Sequence, residues 1–206
     1  MGSARPQSLK PDPASVRNQE EETLDARDES DETLMLRFCD GDSRAFEQLF
    51  QRHAGAIQGY LVHLVGATVA ADLTQASFLS VVRARGRFDR SARFKPWLYA
   101  IATNAARDFR RRRRPDELTS SGELPDVPVG PAQETQADER MQARVHSAIQ
   151  QLPENQKVAI VMHRFQDLSF AEIAEALGVS ESAVKVRAHR GYKRLRELLR
   201  SLWESQ

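Results

Sequence analysis

The chain has 206 residues, of which 40% are hydrophobic and 29% charged, and its formal net charge is +1. That length and apolar content allow one ordinary domain or two small ones and exclude a chain that is disordered throughout. No apolar run approaches the ~20 residues that cross a bilayer. A single cysteine, Cys39, excludes an internal disulfide, and no cysteine-histidine spacing suggests zinc. The sequence therefore predicts a soluble, cytoplasmic protein with no membrane insertion, no metal and no cofactor.

The small net charge conceals a strong segregation along the chain. Residues 1–32 carry a net charge of −5, and residues 83–114 carry +10. Residues 115–139 then carry −7, and residues 140–206 carry +4. A local positive field is what an incoming polyanion meets, so the two basic blocks indicate more about partners than the total charge does.

Composition also divides the chain into domains. Residues 1–31 hold three prolines and few apolar residues, which predicts a disordered acidic tail. Residues 115–136 contain four prolines, two glycines and no aromatic residue, which predicts a flexible acidic linker. In residues 32–114 and 137–203, apolar residues recur at helical spacing, without a strand pattern. The predicted fold class is all-α: two small helical domains joined by a flexible linker.

The last predicted helix of the first domain is amphipathic. Pro96 suits its first turn, and its apolar stripe is expected to bury against the rest of the domain. One edge of the helix carries Trp97, Asn104, Asp108 and Arg111. The expected buried stripe is Leu98, Ile101, Ala102, Ala105 and Phe109, and the opposite side, expected to be more exposed, carries Tyr99, Thr103, Arg107, Arg110 and Arg114.

Aromatic rings, an amide and arginines on adjoining helix faces suit single-stranded nucleic acid. Bases stack on aromatic rings for about 1–3 kcal/mol each, while cations follow the backbone. Phe88 and Phe94, just before and at the start of this segment, add to the same chemistry. Phe94 and Trp97 equally fit a hydrophobic core, and both interpretations stay open at this point.

Residues 167–199 predict a helix-turn-helix. Ser169 and Glu172 have the spacing of a capping box, Gly178 suits a left-handed helix end, and Ser180 can cap a longer second helix. One stripe of that second helix should face the domain: Val184, Ala188, Leu195, Leu199 and Leu202.

The far side of the second helix is basic. Cations and hydrogen-bond donors stand there at the helix start, where a recognition helix meets base edges, and further cations follow for phosphates. A basic, solvated face on an ordinary helical hairpin is the alternative. The residues of this face are Ser182, Lys185, Val186, His189, Arg190, Lys193 and Arg196.

Taken together, these motifs resemble bacterial RNA polymerase sigma factors of the extracytoplasmic-function (ECF) group. "ADLTQASFLSVV" and "RFKPWLYAIATNAARDFRRR" are followed, after the linker, by "LPENQKVAIV" and "SFAEIAEALGVSESAVKVRAHRGYKRLRE". The resemblance implies that residues 32–114 are sigma region 2, which binds core polymerase and melts and reads the minus-ten element. It implies that residues 137–203 are sigma region 4, which reads the minus-thirty-five element. A stress or envelope response and an anti-sigma factor as a further partner are also implied.

The resemblance also assigns site residues by position. Polymerase docking falls to Asp72, Leu73, Gln75 and Phe78. Minus-ten DNA falls to Trp97, Asn104, Arg107, Asp108, Arg110 and Arg111. Minus-thirty-five DNA falls to Ser182, Lys185, Val186, Arg187, His189, Arg190 and Lys193.

Two other classes of protein are alternatives to a sigma factor. A stand-alone helix-turn-helix regulator with a ligand-sensing first domain would bind DNA without polymerase, but it leaves "DLTQASF" and the basic-aromatic helix unexplained. An enzyme is disfavoured because the five histidines show no metal-ligand spacing and there is no glycine-rich phosphate loop.

Overall fold

A computed structural model describes residues 29–113 and 136–204. Within those two ranges there are eight α-helices, one short 3-10 turn and no strand, which confirms the all-α fold class. The predicted tail, apart from its last residues, and nearly all of the predicted linker lie outside the described residues. The helices are α1 (Asp31–Cys39), α2 (Ser43–Val65), α3 (Ala67–Ala84), α4 (Phe94–Arg113), α5 (Gln136–Gln150), α6 (Glu154–Phe165), α7 (Phe170–Leu177) and α8 (Glu181–Glu204).

Short polar signals start the first helices. The hydroxyl of Ser30 accepts a hydrogen bond from the backbone N–H of Thr33 (3.2 Å) and begins α1. The carboxylate of Asp42 accepts from the N–H of Arg44 (2.9 Å) and begins α2. Gly66, with a φ of +87°, then lets the chain turn directly from α2 into α3. These signals fix the borders of three consecutive helices.

Helices α1 to α4 share one hydrophobic core. The start of α4 is fixed by a distant residue, because Glu32 of α1 accepts a hydrogen bond from the backbone N–H of Phe94 (3.0 Å). Pro96 lies in the first turn of α4, as predicted. The largest fully buried side chains of this core are Leu34, Met35, Leu49, Ile57, Tyr60, Leu61, Phe94, Leu98 and Tyr99.

The helix-turn-helix forms as its local signals predict. Ser169 and Glu172 make both hydrogen bonds of the capping box at the start of α7. Gly178 ends α7 in the left-handed conformation, with a φ of +63°. The hydroxyl of Ser180 accepts from the N–H of Ala183 (3.2 Å) and begins α8. Val184 and Ala188 are buried against α6 and α7, so the expected inner stripe of α8 is confirmed at these positions.

The two helical units pack against each other through α4, which therefore has two buried faces. The predicted exposure of Tyr99 and Thr103 is wrong, because these side chains are 0% and 1% exposed. The Thr103 hydroxyl lies 2.7 Å from the Tyr60 hydroxyl of α2. The Tyr99 hydroxyl donates to the side-chain oxygen of Gln166, just after α6 (2.7 Å). A helical projection with one inner stripe could not show that α4 is covered from a second side.

Candidate nucleic-acid interface

One edge of α4 presents an exposed amide beside a partly buried aromatic ring. Asn104 is exposed, and Trp97 is half-buried. The Trp97 ring packs edge-on against Phe88, with 4.9 Å between centroids. Phe88 and Phe94 are 7% and 0% exposed. Of the two interpretations left open for Phe94, core packing is therefore confirmed; the expectation that Phe88 adds base-stacking surface is wrong, and both rings support Trp97 from the core.

The C-terminal part of α4 carries a dense set of cations. Asp108 and Arg111 form an ion pair of 3.0 Å one helical turn apart, with Arg111 well exposed. The guanidinium of Arg113 lies over the half-buried Phe109 ring, 5.4 Å from its centroid. Phe109 was expected in the buried stripe, but the helix end extends past the core and leaves it partly exposed. Arg114 lies outside the described residues.

Two of the predicted DNA-binding arginines are paired with a residue of the second unit. Arg107 Nε lies 3.2 Å from one carboxylate oxygen of Glu154, the first residue of α6. An Arg110 nitrogen lies 3.5 Å from the other oxygen of the same carboxylate. The sequence could not indicate this contact, because it joins residues from different units.

The outer face of α8 is open to solvent over its first three turns. Lys185 pairs with Glu181 of its own helix, at 2.7 Å. Of the residues predicted to contact minus-thirty-five DNA, Arg187 is half-buried and the others are exposed: Ser182, Lys185, Val186, His189, Arg190 and Lys193. Asn155, which the sequence analysis did not single out, lies beside this face. It lines a shallow concavity with Ser182, Ala183, Val186, Arg187 and Arg190.

The predicted docking residues on α3 lie at different depths. Asp72 and Gln75 are exposed, and Leu73 is half-buried. Phe78 is 3% exposed, and its ring packs edge-on against Phe50 with centroids 4.8 Å apart. The Phe78 side chain therefore supports this surface from beneath.

Two exposed apolar side chains adjoin this surface on α2 and α3. Leu79 is 54% exposed and Phe50 is 39% exposed. Neither was among the predicted docking residues. The sequence signal for Leu79 was its place directly after Phe78, since neighbouring residues of a helix point in different directions.

A partly buried basic cluster lies where α2 meets α5 and α6. His63 and His146 have ring centroids 5.5 Å apart, and the Lys157 ammonium donates to Gln150 Oε1 (2.7 Å). Burial, with smaller contributions from His146 and Lys157, lowers the pKa of His63 to about 4. Burial, followed by the charge of Arg110, lowers the pKa of Lys157 to about 8. The His63 imidazole therefore resists protonation while the two units stay packed.

The fold and its two basic surfaces define a two-unit, all-helical DNA-binding protein, with a helix-turn-helix in its second unit. Family models support this class: residues 49–115 match "Sigma-70 region 2", and residues 142–195 match "Sigma-70, region 4". The RNA polymerase sigma factor CarQ of Myxococcus xanthus is 44% identical over 169 residues, which cover 82% of this chain and 97% of CarQ. The RNA polymerase sigma-H factor of Pseudomonas aeruginosa is 33% identical over 187 residues, covering 84% and 96% of the two chains. The chain belongs to the ECF group of the sigma-70 family of RNA polymerase sigma factors.

Solved structures agree with this assignment. CnrH, solved in complex with the cytosolic domain of CnrY, is 28% identical, with a TM-score of 0.67, and the match covers 84% of this chain and 99% of CnrH. The sigma factor RpoE of Bartonella quintana, solved with the anti-sigma factor NepR, shares the fold at 24% identity and a TM-score of 0.63, over 75% of this chain and 96% of RpoE. Among the helices that the structure describes, none has the length and apolar character needed to span a bilayer.

Proposed function

We propose that this chain binds core RNA polymerase and directs promoter-specific transcription initiation. In this proposal the first unit opens and reads the minus-ten element, and the second unit reads the minus-thirty-five element. The observation that supports this proposal is the presence, in one chain of this family, of two separate basic helix faces: the C-terminal part of α4 and the outer face of α8. Regions 2 and 4 would span residues 32–114 and 137–203, joined by a flexible linker, after an acidic tail.

The minus-ten surface divides its work between base capture and phosphate binding. Trp97 and Asn104 would hold an unpaired base, since an aromatic ring and an amide offer stacking and hydrogen bonds together. Opening the duplex costs about 1.4 kcal/mol of stacking per base-pair step, which capture offsets only where the base fits the site. Arg107, Arg110 and Arg111 would bind phosphates, and Asp108 would position Arg111 through their ion pair.

The minus-thirty-five surface would enter the major groove by the start of α8. Lys185, Val186, His189 and Arg190 are assigned to base edges, because they lie on the exposed face near the helix start. Ser182, Arg187 and Lys193 are assigned to phosphates and positioning.

The polymerase-docking surface lies on α3. Asp72 and Gln75 would form polar contacts with polymerase from their exposed positions, and Leu73 would add apolar area. Phe78 would hold the shape of this surface through its packing in the core.

Family membership places the chain among regulatory DNA-binding proteins, so we extend the proposal to the absence of any enzymatic activity of its own. The protein would act in the cytoplasm, where polymerase and chromosome are found. An anti-sigma factor is proposed as a third partner, by analogy with the complexes in which CnrH and RpoE were solved.

A comparison of two variants in open-complex formation tests the division of labour. On a promoter selected from genomic fragments with wild-type holoenzyme, Asn104→Ala should keep polymerase bound but reduce permanganate reactivity of unpaired thymines at the minus-ten element. Arg190→Ala should weaken closed-complex formation itself, with a loss of about 1–3 kcal/mol for one base contact. Arg44→Ala is the matched control, since Arg44 is exposed on α2 outside the assigned surfaces. Normal open complexes from both test variants would overturn the site assignments.

A further inference from the structure

The second unit occupies part of the minus-ten surface with a carboxylate. Glu154 places one carboxylate oxygen 3.2 Å from Arg107 and the other 3.5 Å from Arg110. Each oxygen thus meets a different guanidinium. A phosphate group presents the same chemistry, namely anionic oxygens spaced to accept from arginine donors. Glu154 therefore lies where a DNA phosphate would bind if these arginines contacted the backbone.

Further contacts from the second unit follow α4 toward its start. An Arg93 nitrogen lies 2.7 Å from Glu175 of α7. Lys95 donates to the backbone carbonyl of Gln166 (2.9 Å), and the Tyr99 hydroxyl donates to the side chain of the same residue (2.7 Å). Acceptors of the second unit thus meet polar groups of the first from just before α4 to its fifth turn.

We infer that the packed arrangement is a closed state in which Glu154 takes the place of DNA phosphate on Arg107 and Arg110. The minus-ten strand and the second unit then compete for the same two arginines, so the units must separate at α4 before the strand binds there. This inference rests on the proposed role of α4 in binding the minus-ten element. It makes DNA binding and separation of the units one coupled equilibrium.

The contact of Glu154 with the two arginines is weak enough to be reversible. The side chains of Arg107, Arg110 and Glu154 are 41%, 41% and 42% exposed, so solvent and salt screen both ion pairs. Such pairs are weak enough for a polyanion to displace. Linkage requires that whatever stabilises the closed state weakens strand binding by the same factor, and the reverse also holds.

The closed state masks the two DNA surfaces unequally. Lys185 and Arg190 on α8 are exposed while Arg107 and Arg110 are held by Glu154. The closed chain is therefore expected to keep its minus-thirty-five surface available while part of its minus-ten surface is covered. A free sigma factor in this state would be restrained from binding single strands on its own.

Glu154→Gln tests this competition between Glu154 and DNA phosphate, because it keeps the size of the side chain and removes its charge. The full-length variant is titrated with fluorescein-labelled dT20 and, separately, with a labelled random-sequence 30-base-pair duplex. We expect affinity for dT20 to rise by roughly two- to tenfold, the effect of losing two exposed ion pairs, and duplex affinity to change less. Glu47→Gln is the matched control, since Glu47 is an exposed carboxylate on α2 and its loss changes the net charge equally.

A second measurement reports the separation of the units directly. Dyes on Gln58→Cys and Ala171→Cys, in a Cys39→Ser background, give energy transfer between α2 and α7. Glu154→Gln should lower this transfer and Glu47→Gln should not. The inference is overturned if Glu154→Gln raises dT20 affinity no more than the control does, or leaves energy transfer unchanged. Failure of the wild-type chain to support transcription with core polymerase would instead refute the proposed function, which these two readouts do not measure.

Discussion

Gly191 lies where α8 crosses α6, and replacing it tests how closely the two helices approach. A Cβ added at Gly191 would lie 2.5 Å from Ile160 Cδ1 and 3.3 Å from Gln156 Cβ. Overpacking a core by such a group costs about 1–3 kcal/mol. Alanine in place of glycine within a helix raises the free energy of unfolding by about 0.5–1 kcal/mol. Gly191→Ala should therefore lower the free energy of unfolding by about 1 kcal/mol.

The clash has one main source, which a second substitution removes. Ile160→Val deletes the Cδ1 atom at the closest contact and by itself should cost about 0.5–1.5 kcal/mol. In that background the new alanine has room, so its helix propensity prevails and Gly191→Ala should become neutral or stabilising. The double-mutant cycle should give a coupling of about 1–2 kcal/mol.

Urea denaturation of the full chain, followed by far-ultraviolet circular dichroism, measures this cycle. A difference of 1 kcal/mol shifts the midpoint by about 0.3–1 M urea. Gly191→Ala should lower the midpoint in the wild-type background and leave it unchanged or raise it in the Ile160→Val background. An equal effect of Gly191→Ala in both backgrounds would refute the close approach of α8 to Ile160.

Three further predictions follow from buried or capping groups. Packing of the units lowers the pKa of His63 from 6.5 to about 4. Contact between the units should therefore be fully present above about pH 6.5 and weaken as the pH falls toward 4, where His63 and His146 become protonated. Energy transfer between the units measures this, and constant transfer over that range would contradict it. Lys157→Met should raise the free energy of unfolding at neutral pH by about 1–2 kcal/mol, since a 1%-exposed ammonium with a lowered pKa opposes folding; a lower urea midpoint would show that its bond to Gln150 matters more. Ser169→Ala should cost about 1 kcal/mol by removing the cap of α7; an unchanged midpoint would count against the capping box.

The parts of the fold that local signals determine could be predicted from the sequence. Ser169, Glu172 and Gly178 act within one helix and its ends, so their spacing predicted α7 and its turn correctly. The spacing of apolar residues likewise predicted the inner stripe of α8 at Val184 and Ala188. Such signals depend only on neighbours in the chain, and they suffice for the fold class.

The parts that depend on distant contacts could not be predicted. Tyr99 and Thr103 are buried because α2 and the second unit cover α4 from a side that a helical projection leaves open. Glu32 caps α4 from another helix, and Glu154 meets Arg107 from the other unit. The predicted surfaces were thus assigned by position in the chain, while the state of each surface depends on which element lies against it.

Run-off transcription with purified core polymerase tests directly whether this chain acts as a sigma factor. Core polymerase is incubated with this chain and a pool of genomic fragments, and the 5′ ends of the transcripts are mapped. We expect new start sites that share two sequence elements upstream and that depend on both Asn104 and Arg190. Duplex binding by the chain alone, with no new start sites when core polymerase is added, would contradict this expectation and favour a stand-alone helix-turn-helix regulator.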